Sequence, residues 1–110
     1  MALWTTGKRR FQRYLTNLPI TVRSGERDVE GICNQIAEGG LGVLLREPVP
    51  EGRTITLNFT LPTHLASLHL KGVVCYEYGY QHGVRFLPLN EEELLAIRQF
   101  CSQLPSLAGS

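Results

Sequence analysis

The chain has 110 residues, a formal net charge of +1 and 43% hydrophobic residues. That length holds one ordinary domain with a real core but not two, and near-neutrality argues against a uniformly basic nucleic-acid or membrane binder. Cys33, Cys75 and Cys101 are far apart with no C-x-x-C pair, which disfavours a disulfide framework or zinc site and predicts reduced, buried thiols.

Met1 to Tyr14 shows no clean periodicity, yet it carries Lys8, Arg9, Arg10 and Arg13, whereas the first acid in the chain is Glu26. We read residues 1–17 as a basic arm, 18–104 as the folded domain and 105–110 as a flexible tail. The arm lacks the apolar run of a signal peptide, and no segment has the ~20 apolar residues of a membrane span. The expectation is a soluble cytoplasmic protein with no membrane partner.

The first strand is predicted from about Leu18, where "LPITVRS" brings β-branched residues together. After a "GER" turn, "DVEGICNQIA" reads as a second strand, with Ile32, Asn34 and Ile36 on one face and Val29, Cys33 and Gln35 on the other. "EGG" breaks it and "LGVLL" starts a third. "REPVPEG" is a Pro-Gly-rich connection.

In "RTITLNFTLP", Ile55, Leu57, Phe59 and Leu61 alternate with polar residues, the period-two pattern of a half-buried strand. "SLHLKGVVCYEYG" and "YQHGVRFLPL" give a fifth and sixth strand joined at Gly79. The final "NEEELLAIRQFCSQL" is a helix. Asn90 is its N-cap, Glu93 completes a capping box, and Glu91 and Glu92 suit the positive end of its dipole. Leu94, Ile97, Cys101 and Leu104 form the face expected to pack on the sheet. About six short, antiparallel-compatible strands and one terminal helix predict a mainly β domain, a small barrel or sandwich, and closure into a barrel removes exposed strand edges.

No enzyme is expected. His64, His69 and His82 lack metal-ligand spacing and read as surface or partly buried structural residues. Asp28 is the only aspartate, and the glutamates at 91–93 are explained by the helix start. No nucleophile elbow, P-loop or dinucleotide fingerprint is present, and neither a cofactor nor a metal is expected.

Two stretches carry a functional signal. In "KRRFQRY", Arg9 and Arg13 stand four apart beside Arg10, and arginine forks grip phosphates bidentately or pair with O6 and N7 of guanine. In "NQIAEGGLGVLL", Gly39, Gly40 and Gly42 permit positive φ or close approach of a ligand to the backbone. An R-x-x-x-R pair followed by a strand running into "GGLGV", with "HGVRFLPL" and an acidic-capped helix behind, resembles the PilZ domain family.

That resemblance implies a six-stranded antiparallel β-barrel with a C-terminal helix, no catalysis, and binding of the bacterial second messenger cyclic di-GMP. The family's motifs are R-x-x-x-R and [D/N]-x-S-x-x-G. It implies ligand contacts from Arg9, Arg10 and Arg13, and from Gln35, Ala37, Gly39 and Gly40. A second register of the latter motif starts at Asn34, ends at Gly39 and puts Ile36 at the serine position. The Gln35 register keeps a small residue there but departs from the pattern twice, with Gln for Asp/Asn and Ala for Ser. Losing those contacts weakens binding by roughly 10- to 1000-fold. Both positions are expected to be surface-accessible, so that reversion leaves stability unchanged.

The implied function is a stand-alone receptor or adaptor, a monomer or dimer, whose arm orders on cyclic di-GMP and signals to an unidentified protein effector. The alternative is a degenerate adaptor that binds no nucleotide and acts by protein contact. A barrel stacking single-stranded nucleic acid on Trp4, Phe11 and Tyr14 is opposed by the near-neutral charge, and no nucleic-acid partner is expected.

Overall fold

A computed structural model describes residues 11–63 and 67–105. Arg9, Arg10, Trp4, His64 and residues 106–110 of the predicted tail lie outside the described residues. Six strands precede one helix: β1 Tyr14–Ser24, β2 Arg27–Ala37, β3 Gly40–Leu45, β4 Thr54–Thr60, β5 Ser67–Tyr78, β6 Gln81–Phe86 and α1 Glu91–Cys101. The strands close into an antiparallel barrel in the order β1-β2-β3-β6-β5-β4. Tight β1–β2 and β5–β6 turns use left-handed glycines, Gly25 at φ 62° and Gly79 at φ 64°.

The barrel interior is filled by alternating residues. Ile55, Leu57 and Phe59 of β4 point inward as their period-two pattern predicts, and Val22, Cys33, Ile36, Leu41, Val43 and Val84 have no exposed surface. His82 is buried among them. Its Nε2 accepts the Val49 N–H at 2.9 Å, so Nδ1 holds the proton and donates to the Tyr80 carbonyl at 2.8 Å. This histidine is structural, but wholly interior rather than at the surface.

Two expectations about the strands are corrected. β1 begins at Tyr14, not Leu18, because Tyr14 and Leu15 already pair with Ile36 and Gln35. A register shift between Leu15 and Leu18 absorbs the polar "TN" that interrupts the strand pattern. On β2 the faces are not those of simple alternation. Val29, Cys33 and Ile36 are buried, whereas Ile32 is exposed. The cause is a bulge: Cys33 pairs with Val43 and Gln35 with Gly42, leaving Asn34 as the extra residue. One inserted residue switches the inward parity of everything after it.

α1 closes one end of the barrel. Asn90 Oδ1 accepts from Glu93 N at 2.7 Å and Glu93 Oε1 accepts from Asn90 N at 3.0 Å, the reciprocal capping box. Its buried residues are Ala96, Ile97, Phe100 and Cys101, with Leu104 packed at the margin. Leu94 gives way to Phe100, because the buried stripe is rotated toward the larger ring. After the helix, the Pro105 carbonyl accepts the Leu15 N–H at 3.0 Å, so the start of the predicted tail is tied to β1.

Candidate ligand-binding site

The β2–β3 connection is a two-residue turn, Glu38-Gly39, between the paired Ala37 and Gly40. Its glycines are needed for close approach and not for positive φ, which among the described residues occurs only at Gly25, Gly52 and Gly79. A Cβ at Gly40 would lie 2.2 Å from the Val84 carbonyl oxygen, and one at Gly39 would lie 2.5 Å from Phe11 Cδ2. The Gly39 carbonyl accepts the Phe86 N–H at 2.9 Å, which pins the turn to the end of β6.

Phe11 sits between Arg9 and Arg13 in the sequence. Its ring therefore brings the described segment just before Arg13 over the glycine turn. Arg13 enters directly before β1 and is only 9% exposed, which is unusual for an arginine. Its charge reaches the half-buried Tyr76 phenol on β5. Burial raises that phenol above its usual titration range, and the Arg13 charge and a hydrogen bond from Gln81 act in the opposite direction.

Gln35 stands beside Leu15 of β1. Its Oε1 is shielded from solvent and has no hydrogen-bond partner among the described residues. Ala37 is fully buried, which corrects the expectation that its side chain is accessible. Ile36 belongs to the core cluster, so the register beginning at Asn34 would aim its serine position into the barrel interior. Glu38, the acid of the turn, pairs with Arg98 Nε of α1 at 3.1 Å, which offsets its charge.

Of the expected residues, Gln35, Ala37, Gly39 and Gly40 lie together where β2 turns into β3, and Arg13 enters directly before β1, whereas Arg9 and Arg10 lie outside the described residues. Sequence reading missed Gln81 and Tyr76: the β5–β6 hairpin carries Gln81 to Asn34, whose Nδ2 donates to Gln81 Oε1 at 2.9 Å, and pairs Tyr76 with Gly83. Neither belongs to a motif, and only the strand register reveals them. Farther along the wall lies a depression of about 650 Å³ lined by Pro19, Ile32, Leu44, Arg46 and Asn58 among others. Among the described residues no group of three or more His, Cys, Asp or Glu side chains is placed to hold a metal, and no helix is long and apolar enough to cross a membrane.

The family model for the PilZ domain matches residues 7–103. An uncharacterized protein of Aquifex aeolicus (strain VF5) is 34% identical over 88 residues, covering 76% of this chain and 42% of the relative. The chain thus spans less than half the length of that protein. Among solved structures, the Bacillus subtilis inhibitor of motility MotI/DgrA superposes with a TM-score of 0.77 at 18% identity, over 89% of this chain and 51% of that one. The PilZ domain of YcgR from Escherichia coli, determined with c-di-GMP, gives a TM-score of 0.72 at 13% identity, over 88% and 91% of the two chains. The PilZ domain of CeSA from a cellulose-synthesizing bacterium gives 0.66 at 13% identity, over 82% and 94%.

Proposed function

The chain belongs to the PilZ domain family, and we propose that it is a non-enzymatic cytoplasmic receptor for cyclic di-GMP that passes the signal to a protein partner. The observation that carries this reading is the seating of Phe11 on Gly39. It brings the described segment that leads into Arg13 against the glycine turn, which supports a reading in which the arginines and the turn backbone serve one ligand.

In this reading Arg9 and Arg13 place guanidinium forks on phosphate oxygens or guanine edges, with Arg10 assisting. Gln35 offers its unpartnered Oε1 to the ligand's N–H groups. Gly39 and Gly40 let the ligand approach the backbone, and Ala37 contributes shape alone. The arm, residues 1–17 with its last four residues already in β1, orders further when the nucleotide binds and alters the surface shown to the effector.

A second reading is favoured by Ala37. A buried methyl stands where the family motif carries a hydroxyl, which fits an adaptor that has lost the nucleotide and works by protein contact. The depression beside exposed Ile32 and Leu44 would be its working surface. Isothermal calorimetry with cyclic di-GMP, and GTP as control, separates the two. Saturable binding of cyclic di-GMP alone supports the receptor, and no heat at near-millimolar ligand rejects it.

A further inference from the structure

We propose that Arg85 of β6 is a third arginine of the nucleotide site, gripping a phosphate of cyclic di-GMP from across the strand ladder beside Gly40. This rests on the cyclic di-GMP reading above and adds to that site a residue that neither motif contains.

Strand register puts Arg85 there. Ala37 of β2 pairs with Gly40 of β3, Gly40 pairs with Arg85, and Arg85 pairs with Val73 of β5. One row of partners thus runs from the end of the glycine turn to Arg85. A Cβ at Gly40 would lie 3.2 Å from Arg85 Cα. His82, Val84 and Phe86 are buried in the barrel, so Gln81, Gly83 and Arg85 face outward. The Arg85 side chain is exposed.

The wall beside it is bare. Gly40 and Gly42 on β3 and Gly83 on β6 carry no side chain, and Gly42 pairs with Gly83. At one end of this strip the Asn34 and Gln81 amides meet, with Asn34 Nδ2 donating to Gln81 Oε1 at 2.9 Å. Arg85 stands at the other end. The barrel itself demands a glycine at position 40, where a Cβ would lie 2.2 Å from the Val84 carbonyl oxygen. At position 42 the nearest atoms to a Cβ belong to side chains, the first at 3.2 Å. The strip is therefore barer than the backbone packing requires, which is the mark of a place where a ligand comes close.

Charge fits an anion here. Arg23, Arg27 and Arg98 are paired with Asp28, Glu47 and Glu38. Arg85 has no ion pair and no side-chain hydrogen bond among the described residues. Lys71, two residues before Val73 on β5, is exposed on the same face and is the diagonal neighbour of Arg85. Two neighbouring cations repel, and a phosphate beside them turns that repulsion into attraction. Glu38, the acid of the adjoining turn, is already held by Arg98. A guanidinium fork matches two phosphate oxygens, and one such contact offsets part of what the Gln35 and Ala37 departures remove.

The test is cyclic di-GMP calorimetry on the full chain at low and high salt, with melting temperature recorded for each variant. Arg85→Ala should weaken binding about tenfold or more. Its melting temperature without ligand should stay at the wild-type value, because the side chain is exposed. Arg85→Lys keeps the charge but not the fork and should recover part of the loss. Arg27→Ala removes an equal charge at the far end of β2, and its affinity should stay within about twofold of wild type. Binding by Arg85→Ala should also fall less steeply with salt. Wild-type affinity in Arg85→Ala overturns the assignment. So does an equal loss in Arg27→Ala, which would trace the effect to overall charge and not to a contact. If the wild-type protein binds no cyclic di-GMP, the receptor reading fails and carries this one with it. Binding that is lost in Arg9→Ala and Arg13→Ala but unchanged in Arg85→Ala rejects Arg85 alone.

Discussion

Phe11 lies directly on Gly39, so close that a methyl group at position 39 would fall 2.5 Å from ring atom Cδ2 and 2.6 Å from Cε2. The glycine is required by the ring above it and not by its own backbone angles. Gly39→Ala should therefore move Phe11, which is 41% exposed and free to swing outward. Its stability cost should stay within ~1 kcal/mol, while cyclic di-GMP affinity falls severalfold as the arginine segment lifts. Gly40→Ala is the contrasting case. Its Cβ meets the Val84 carbonyl and, at 3.2 Å, Arg85 Cα. Backbone cannot swing aside, so the β3–β6 ladder must open at a cost of roughly 3 kcal/mol. Urea denaturation of both variants beside calorimetry checks the pair.

The arginines test the site directly. Arg9→Ala and Arg13→Ala should each weaken cyclic di-GMP binding at least about tenfold, since each removes a charge-assisted fork of ~1.5–3 kcal/mol. Arg10→Ala should cost less. The reversion of Gln35 to Asn with Ala37 to Ser should tighten binding. The burial of Ala37 changes what else it does: without ligand, the new hydroxyl is buried at a cost of ~1–3 kcal/mol unless it finds a partner. A lower apo melting temperature that recovers with nucleotide is the expected result.

Most of the barrel was legible because alternation and turn residues agree. The β4 pattern, Gly79 and the Asn90–Glu93 capping box all stand as read. What failed was local and had one cause. Thr16-Asn17 and Asn34 sit at register irregularities, and simple alternation assumes a strand without extra residues. Hence β1 started late and the β2 faces were misassigned. Within the site, linear spacing marked the arginines and glycines. Tyr76 and Gln81 were invisible, because strand pairing alone brings residues 34 and 81 within 2.9 Å.

Alkaline pH should destabilise the fold through its buried thiols. Burial pushes Cys33 from 9.0 up to about 12 and Cys101 up to about 11. Both raised values mean that the native state holds its protons after the unfolded chain has released them. The associated stability is fully present below pH 9 and is lost as pH climbs through the window up to about 12 for Cys33 and about 11 for Cys101. By pH 10.5 the Cys33 contribution should fall by on the order of 2 kcal/mol. Urea midpoints measured from pH 8 to 10.5 should drop, and a Cys33→Ala variant should show a shallower slope. Parallel slopes would remove Cys33 as the cause.

His82 separates stability from binding. Its ring joins the 46–53 connection, through Val49 N, to the β5–β6 turn, through the Tyr80 carbonyl, and it has no exposed surface. His82→Ala removes the only ring that satisfies the Val49 amide in that buried place and leaves a cavity. A stranded donor costs ~1–3 kcal/mol, and the lost packing adds a comparable amount. The expected loss is roughly 3–5 kcal/mol by urea denaturation. His82 faces inward, whereas its neighbour Gln81 bonds across the outer wall to Asn34. The fraction of His82→Ala that remains folded should therefore bind cyclic di-GMP with wild-type affinity. Gln81→Ala removes only the outer amide pair with Asn34 and should leave stability near normal. A His82→Ala protein that is fully stable would show that the two ring hydrogen bonds do not anchor the connection.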